Sequence, residues 1–476
     1  MPAIAPYALD IIGTALRLEG HEVEILDLTP SASDYKNVIG AYFSKNAPDF
    51  VGITFRNIWD LYFGSFLTLQ EQGSFVPSHS RVTREVLRYI ERDRIIAGGV
   101  GFSSYPEYVL EQTGLRFGVL GTPERDIGHI ISSLKNGVVP HHVESFFEYG
   151  HPYSRQKKQN MIDAVIDRKN FVDNKWYYLN SGSVPLRTSN GCPMACSYCL
   201  EPTVKGKSVS RRTGEQVLGE VDQLLGLEIM DIYSADSESN IPFGHSKKIK
   251  QRIIERKYPR DLHFWEYCTI TPFDEEYAEL AAEAGVKGIY FTADHIKPEL
   301  IKALGRWHSA DDVRRTANIC KEFGIRTMFE VLLGMPGETE DTIKEVIDFF
   351  KDVDPDVTGM ILGIAAIPSS PLYKSPLIME GLNLNPEERK KHGIYCSGEL
   401  FKDPTYYIDP AIKVPEIYDV VKEYIGKDVH RFMVPTREGR AFTDDTLINN
   451  NRVTRQIRER KMGADWYYYR EMMTTD

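Results

Sequence analysis

The stretch Asn190-Gly191-Cys192-Pro193-Met194-Ala195-Cys196-Ser197-Tyr198-Cys199 gathers three of the chain's six cysteines, at spacings of four and three, with an aromatic before the last. Iron-sulfur clusters are held by thiolates, and the usual full set is four. A local triad with no evident fourth partner implies a cubane with one iron left open for chemistry. Two other readings stand beside it: a zinc site completed by a distant His or Cys, and three unrelated cysteines. Zinc sites join one short Cys spacing to a second Cys or His pair, and no second pair of that kind is present. Unrelated cysteines would rarely crowd so closely.

Downstream of this loop, helix and strand patterns alternate. Gly214 to Leu225 carries Val217, Leu218, Val221, Leu224 and Leu225 on one face, followed by a strand at Asp231 to Ser234. Strands follow at His263 to Tyr267, Gly288 to Phe291, Ile325 to Leu333 and Thr358 to Gly363. Thr271-Pro272-Phe273-Asp274 reads as a capping box with Pro at the first helical position, and Ser309-Ala310-Asp311-Asp312 as another, opening a helix that closes at Gly324. Helix Glu340 to Phe350 fills the last interval. With Ser183 to Leu186 leading into the cysteine loop, the repeats fit a parallel barrel, whose chemistry sits at the strand C-termini.

Upstream, a second alternation occupies roughly residues 1–135. Helix Tyr7 to Leu18 stops at Gly20 and hands over to a strand at Glu22 to Leu26. Further strands are expected at Phe50 to Phe55, Arg94 to Ala97 and Phe117 to Leu120, with helices at Val82 to Ile90 and Glu124 to Leu134. This is the pattern of a doubly wound parallel sheet, Rossmann-like, whose ligand site lies at the carboxyl ends of its strands. Gly98-Gly99 and Gly121 fall at those ends, where a missing side chain admits either a flat ligand or a tight turn. The expected organisation is 1–135 as this domain, 136–182 as a connector, 183–380 as the barrel and 381–476 as a small, mostly helical C-terminal domain.

Composition narrows the function. Hydrophobic residues at 42% and charged residues at 26% suit a globular chain that buries a large core. A formal net charge of -11 exerts no general pull toward nucleic acid or anionic membrane. The basic runs Lys205 to Arg212, Lys247 to Lys257 and Arg452 to Lys461 read as solvated faces before phosphate sites. No apolar run approaches the roughly 18 residues of a membrane span. Six cysteines do not make a disulfide framework, and an oxygen-sensitive cluster requires a reducing compartment, so a cytoplasmic location is expected.

These residues resemble a known family. Cys192, Cys196 and Cys199 fit the C-x3-C-x2-C signature of radical S-adenosylmethionine (SAM) enzymes, with Tyr198 in the aromatic slot near the SAM adenine. Leu332-Leu333-Gly334-Met335-Pro336-Gly337-Glu338-Thr339 is similar to that superfamily's late-strand G-x-PGET segment. Asp236-Ser237-Glu238-Ser239-Asn240-Ile241-Pro242 resembles the DSxFNxP segment of the cobalamin-binding branch. Gly98-Gly99, Gly121-Thr122-Pro123-Glu124 and Arg56-Asn57 look like the cobalamin loops of that branch.

The resemblance implies a cobalamin-binding domain ahead of a partial (β/α)6 barrel, with six strands rather than eight. It implies three cofactors: a [4Fe-4S] cluster on the three cysteines, SAM, and cobalamin near Arg56, Gly98, Gly99 and Gly121. It places Ser234, Ala235 and Asp236 at the SAM amino group, largely through backbone, Asp294 and Arg306 at its ribose and carboxylate, and Gly334 and Glu338 on its adenine side. Read from the residues alone, Asp294 is equally an exposed turn, Arg306 a surface cation, and Gly334 a conformational glycine. The implied activity is reductive SAM cleavage coupled to methylation of an unactivated carbon of a small metabolite or natural-product intermediate. The same branch also performs rearrangement, cyclisation or oxidation without methyl transfer. An electron donor such as flavodoxin or ferredoxin is the implied partner. A zinc- or cluster-stabilised binding protein is the non-enzyme alternative.

The sequence departs from the branch in three places. There is no D-x-H-x-x-G, Asp27-Leu28-Thr29-Pro30-Ser31-Ala32 standing in its place, so a bound cobalamin would be base-off without a protein histidine. The opening strand expected of this domain is missing. Ala365 and Ala366 precede Ile367-Pro368-Ser369-Ser370-Pro371-Leu372-Tyr373, at the barrel's end, where a basic residue is common. No Cys precedes Cys192, which excludes the second N-terminal cluster of methylthiotransferases, and only Cys396 lies beyond the barrel, which excludes a C-terminal auxiliary cluster. Cys268 and Cys320 read as buried thiols. The aromatic clusters Tyr406-Tyr407 and Trp466 to Tyr469 are expected to pack the tail on the barrel before they stack on substrate.

Overall fold

The computed structural model describes residues 4–56, 76–153, 161–396, 405–414, 416–428 and 431–433. Two parallel sheets carry it. The first runs β1 (Val51–Thr54), β2 (Ile95–Gly98), β3 (Phe117–Val119) and β4 (Phe146–Glu148) in that spatial order, with β4 antiparallel to β3. Helices cover both faces, as continuous apolar strands such as Ile95-Ile96-Ala97 require. Ile96, Phe117 and Val119 pack with Ala15 and Ile130 on one face, and Ile95, Ala97 and Phe102 pack with Val86 and Val109 on the other.

Two expectations fail here. Glu22 to Leu26 is not a strand: residues 21–28 alternate half-buried and exposed, as an edge strand would, yet form no ladder with β1 among the described residues. Every other residue there is solvated, and little apolar area rewards pairing. Secondly, β4 comes from the stretch expected to be a connector.

The second sheet follows a short hairpin of β6 (Ser189–Asn190) and β7 (Ser210–Arg211) that opens after β5 (Val184–Leu186). Its strands β5, β8 (Asp231–Ser234), β9 (His263–Thr269), β10 (Val286–Asp294), β11 (Arg326–Leu333) and β12 (Val357–Leu362) are the six repeats expected. Neighbours pair in parallel in chain order, and the short β16 (Phe432–Met433) adds a seventh strand beside β12. Capping boxes at Thr213, Ser309 and Thr339 start three outer helices. The expected box at Thr271 is displaced: Asp274 caps the helix Glu275–Glu283, because its side chain reaches the Tyr277 amide. The C-terminal region, expected to be mostly helical, also contributes β14 (Ile394–Cys396) and β15 (Thr405–Tyr407) to an antiparallel sheet with β13 (Ile364–Ala365). Tyr406 and Tyr407 are buried in it and pack. Trp466 to Tyr469, Arg452 to Lys461 and Asn57 lie outside the described residues.

Alternation along these strands separates lining from core. On β10, Ile289, Phe291 and Ala293 join the core shared with the outer helices, and on β11 Phe329, Val331 and Leu333 do the same. The intervening Tyr290, Thr292, Met328 and Glu330 therefore face the opposite side, the concave interior.

A buried ionic hub joins the halves. Arg168 has no exposure; its Nε lies 3.0 Å from Asp10, its Nη1 3.1 Å from Glu220 and 2.7 Å from the Pro185 carbonyl, and its Nη2 2.9 Å from Asn174. Asp10 sits on helix Tyr7–Leu18 and Glu220 on helix Gly214–Gly226, so one guanidinium ties the first domain to the second. Arg212, from the first basic run, pairs with Glu220, and Lys250, from the second, with Glu266. Both are internal structural cations. Among the described residues no helix is long and apolar enough to cross a membrane.

Candidate functional site

Backbone contacts hold the cysteine loop on several sides. Gly191 adopts φ +106°, and a Cβ there would stand 2.2 Å from the Ser208 carbonyl oxygen, so only glycine fits. Cys192 N donates to Gly206 O at 3.0 Å and Ser197 N to Leu304 O at 2.9 Å, while Leu372 N donates to Ser197 O at 2.7 Å. Gly305, with φ +76°, lets the loop settle on the chain after helix Pro298–Ala303: a Cβ there would lie 2.2 Å from Ala195 O.

The loop thus presents Cys192, Cys196 and Cys199 together with Met194 and Ile241 in one apolar cluster. Burial pushes the Cys192 thiol up to about 12 and the Cys196 thiol up to about 11, and raises Cys199 further. Thiolates form in such surroundings when a metal compensates their charge, so the donor set fits a metal cluster. Among the described residues no three His, Cys, Asp or Glu side chains converge on a point that would hold one metal ion. A cubane is gripped at separate corners and needs no such convergence.

Next to the loop lies a polar layer. The Tyr198 hydroxyl is 2.9 Å from both Asp294 carboxylate oxygens, and Arg306 Nε donates to Asp294 Oδ2 at 2.6 Å. Arg306 Nη1 reaches Glu238 Oε1 at 3.5 Å, leaving Glu238 Oε2 buried without a partner. Burial, reinforced by neighbouring Asp294, raises the Glu238 carboxyl to about 8. Asp294 is 1% and Arg306 6% exposed, so neither is the exposed turn or surface cation that residue type alone allowed.

The carboxylates of two residues expected near SAM are held by protein amides. The Asp236 carboxylate accepts from Thr188 N (2.8 Å), Ser189 N (2.7 Å) and Thr188 Oγ1 (2.6 Å), fastening β8 to the hairpin. Glu338 is fully buried, accepts from Gly334 N (2.5 Å) and Met335 N (2.9 Å), and touches His295 Nε2 at 3.0 Å. Both carboxylates brace loops, because backbone amides at strand ends must be satisfied somewhere. The Ala235 amide is likewise spent on Leu186 O at 2.8 Å, while Ser234 Oγ accepts from Asp236 N at 3.3 Å. Gly334, at φ +97°, receives Asp409 N on its carbonyl, and Gly337 N donates to Asp409 Oδ2 at 2.6 Å.

On the first sheet, Gly98 and Gly99 serve packing within the protein. A Cβ at Gly99 would lie 2.6 Å from Phe55 O, and one at Gly98 3.2 Å from Val119. Gly121, at φ +64°, donates its amide to Ser103 Oγ at 3.0 Å, and Arg56 is exposed beside the end of β1. Asp27 of the divergent loop binds the Tyr177 hydroxyl at 2.6 Å.

The strand ends of both sheets meet. Asn190 Nδ2, in the cysteine stretch, donates to Thr122 Oγ1 at 2.7 Å, and Arg187 Nη2 pairs with Glu124 Oε1 at 2.6 Å. Ser369 Oγ lies 3.4 Å from Ser104 O. The face expected for a flat cofactor therefore adjoins the cysteine loop, with Gly121 and Arg56 on its rim.

Residue-by-residue reading missed Glu238, Glu330, Tyr267 and Tyr290. Glu330 did carry a signal, a lone charge inside the apolar run Thr327-Met328-Phe329-Glu330-Val331-Leu332-Leu333.

Comparison with known proteins agrees with this arrangement. The Radical SAM superfamily profile matches residues 186–350. The tryptophan 2-C-methyltransferase of Streptomyces laurentii is 30% identical over 99% of this chain and 94% of its own length. The solved structure of the radical SAM methyltransferase TsrM from Kitasatospora setae, with tryptophan substrate and the SAM analogue aza-SAM bound, superposes with a TM-score of 0.87. It is 30% identical and covers 99% of this chain and 97% of its own. The cobalamin-dependent SAM radical enzyme OxsB, with aqua-cobalamin and SAM bound, is similar in fold alone, with a TM-score of 0.66 and 14% identity over 89% of this chain and 64% of its own.

Proposed function

The chain belongs to the cobalamin-dependent radical SAM enzymes, and on that premise we propose that it methylates a carbon of tryptophan or a closely related aromatic amine. The observation that carries this reading is the pair of direct contacts, Asn190 to Thr122 and Arg187 to Glu124, that sets the first sheet's strand ends against the cysteine loop. Methyl transfer between two cofactors and a substrate needs all three within reach, and those contacts hold the two faces together.

Cys192, Cys196 and Cys199 hold the cluster. Tyr198, Asp294 and Arg306 form the polar layer against which SAM is oriented, with Ser234, Ala235 and Gly334 contributing backbone. Arg56, Gly121 and the Gly98-Gly99 turn border the cobalamin face, and residues 27–32 offer it no histidine. When bound, the cluster, SAM and cobalamin supply the electron, the methyl group and its carrier. The protein's part is to orient them and to keep water out, which the apolar setting of Met194 and Ile241 favours. A reducing cytoplasmic setting and a flavodoxin- or ferredoxin-type donor complete the proposal.

The test is anaerobic reconstitution with iron, sulfide and hydroxocobalamin, followed by SAM, reductant and tryptophan. Retained corrinoid absorbance, S-adenosylhomocysteine and a product heavier by one methylene are expected. A substrate product of unchanged carbon count, formed with 5′-deoxyadenosine, would replace methyl transfer by rearrangement or oxidation.

A further inference from the structure

Below the Tyr198–Asp294–Arg306 layer, the concave interior of the second sheet carries a second acidic position. Glu330 lies mid-strand on β11, in register with Thr292 on β10 and Gly359 on β12. A bulge after Thr292 sets Asp294 opposite Val331, the residue after Glu330, so Glu330 sits one to two residues, about 3–7 Å, deeper than the SAM layer. Its two cross-strand neighbours are small, one of them a glycine against which the flexible end of Met328 packs. On its other flank, Tyr267 and Tyr290 form a stacked pair with centroids 4.9 Å apart and planes inclined by 21°. The Tyr290 hydroxyl approaches the Glu330 carboxylate. Tyr267, Tyr290 and Glu330 are all only partly buried, unlike the strand residues that face the helices.

Charge is unbalanced here. Arg306 is engaged by Asp294 at 2.6 Å and by Glu238 at 3.5 Å. Among the described residues no cation pairs with Glu330. Burial, with Asp294 as a nearby like charge, raises its carboxyl to about 7. A half-buried acid on the concave interior, paired with no cation among the described residues, is completed by a cationic ligand. Glu330 has the Tyr290 hydroxyl as its neutral partner, whereas Thr292 Oγ1, also interior and 2% exposed, has no hydrogen-bond partner among the described residues.

We propose that Glu330 binds the protonated amino group of the substrate, with the Tyr267–Tyr290 pair supporting its aromatic ring and Thr292 Oγ1 accepting a second ammonium hydrogen. This deepens, and rests on, the proposed methylation of tryptophan or a related aromatic amine, and it places that substrate on the interior face of the second sheet. It makes the substrate class aromatic primary amines, selected by charge as well as by ring. A carboxylate alone on that wall would reject the desamino analogue, because the desolvated acid would be left without its partner.

Equilibrium dialysis on the reconstituted, cofactor-loaded protein tests this without turnover. Binding of tryptophan is compared with binding of 3-(indol-3-yl)propionate, which lacks only the amino group, for the wild type, Glu330→Gln and Glu330→Asp. The wild type is expected to prefer tryptophan by at least about tenfold, the scale of a buried charge pair. Glu330→Gln should bring the two ligands to within about threefold, and Glu330→Asp should keep most of the preference. Unchanged corrinoid and cluster absorbance shows that Glu330→Gln is folded. Retention of the tenfold preference in Glu330→Gln, or equal binding of both ligands by the wild type, overturns the inference. Methylation of tryptophan is scored separately. A methylated product from an enzyme whose Glu330→Gln variant still discriminates refutes the residue's role alone. Charge-dependent binding without any methylated product refutes the reaction and leaves the role standing.

Discussion

Replacing Arg168 by methionine removes the one cation that Asp10 touches among the described residues while preserving much of the side chain's volume. Asp10 has no exposure and keeps only the Val172 amide at 3.0 Å and Asn174 Nδ2 at 2.9 Å, whereas Glu220 retains Arg212 and the Tyr7 hydroxyl. The loss thus falls mainly on Asp10. Breaking a buried ion pair from one side costs about 3–5 kcal/mol, and for a cooperative unit of a few hundred residues that lowers Tm by roughly 6 °C or more.

The pH dependence gives the loss a signature. Burial already raises the Asp10 carboxyl to about 6 with Arg168 present. A carboxyl whose folded pKa exceeds its unfolded value near 3.8 binds more protons when folded, so its ionisation subtracts stability as pH rises through that interval. Without Arg168 the folded value climbs further, and the variant's deficit grows between about pH 6 and pH 8. Asp10→Asn in the same chain removes the charge and should restore about 1–3 kcal/mol of the loss. Thermal unfolding of the four proteins of this cycle at pH 6 and pH 8, under anaerobic conditions, measures both effects. A single Arg168→Met variant within about 2 °C of wild type at pH 8, or a double variant no better than the single one, refutes the account of the hub.

The cluster loop supports three shorter predictions. Serine at Cys192, Cys196 or Cys199 should each abolish bound iron and sulfide, whereas serine at Cys268 or Cys320, buried among core residues of the second sheet, should leave both unchanged by colorimetric assay. Gly305→Ala forces a Cβ to within 2.2 Å of Ala195 O at a φ of +76°, a conformational cost of about 1–2 kcal/mol before the clash is counted. Its iron content after reconstitution should fall by more than half. Glu338→Leu frees the Gly334 and Met335 amides together, at about 1–3 kcal/mol for each amide left unsatisfied. It should weaken SAM binding in equilibrium dialysis while sparing iron content, and equal SAM affinity would show that the loop does not need its brace.

The elements that were legible in the sequence share one property, namely that their signals are local. The cysteine spacing, the six strand-helix repeats and the capping box at Ser309 each depend on residues a few positions apart, and short-range sterics and hydrogen bonding decide them. What stayed open in the sequence was decided by partners far along the chain. Asp236 stands inside a recognisable motif, yet its carboxylate answers to the amide of Thr188, 48 residues away, which the motif does not display. Gly98 and Gly99 read equally as a place for a flat ligand and as a tight turn, and the close approach of the Phe55 backbone to Gly99 depends on a strand more than forty residues away. Glu22 to Leu26 has the alternation of a strand and pairs with no neighbour among the described residues. Glu330 belongs to the same class in reverse. Its charge was visible in the sequence, but its meaning depends on which face of β11 it shares with Tyr290, Thr292 and Gly359, and only strand register supplies that. Since substrate-facing residues are scattered one or two to a strand around such an interior, the cofactor loops of this fold are readable locally while the determinants of its substrate are not. Specificity within the family therefore has to be argued from register, strand by strand.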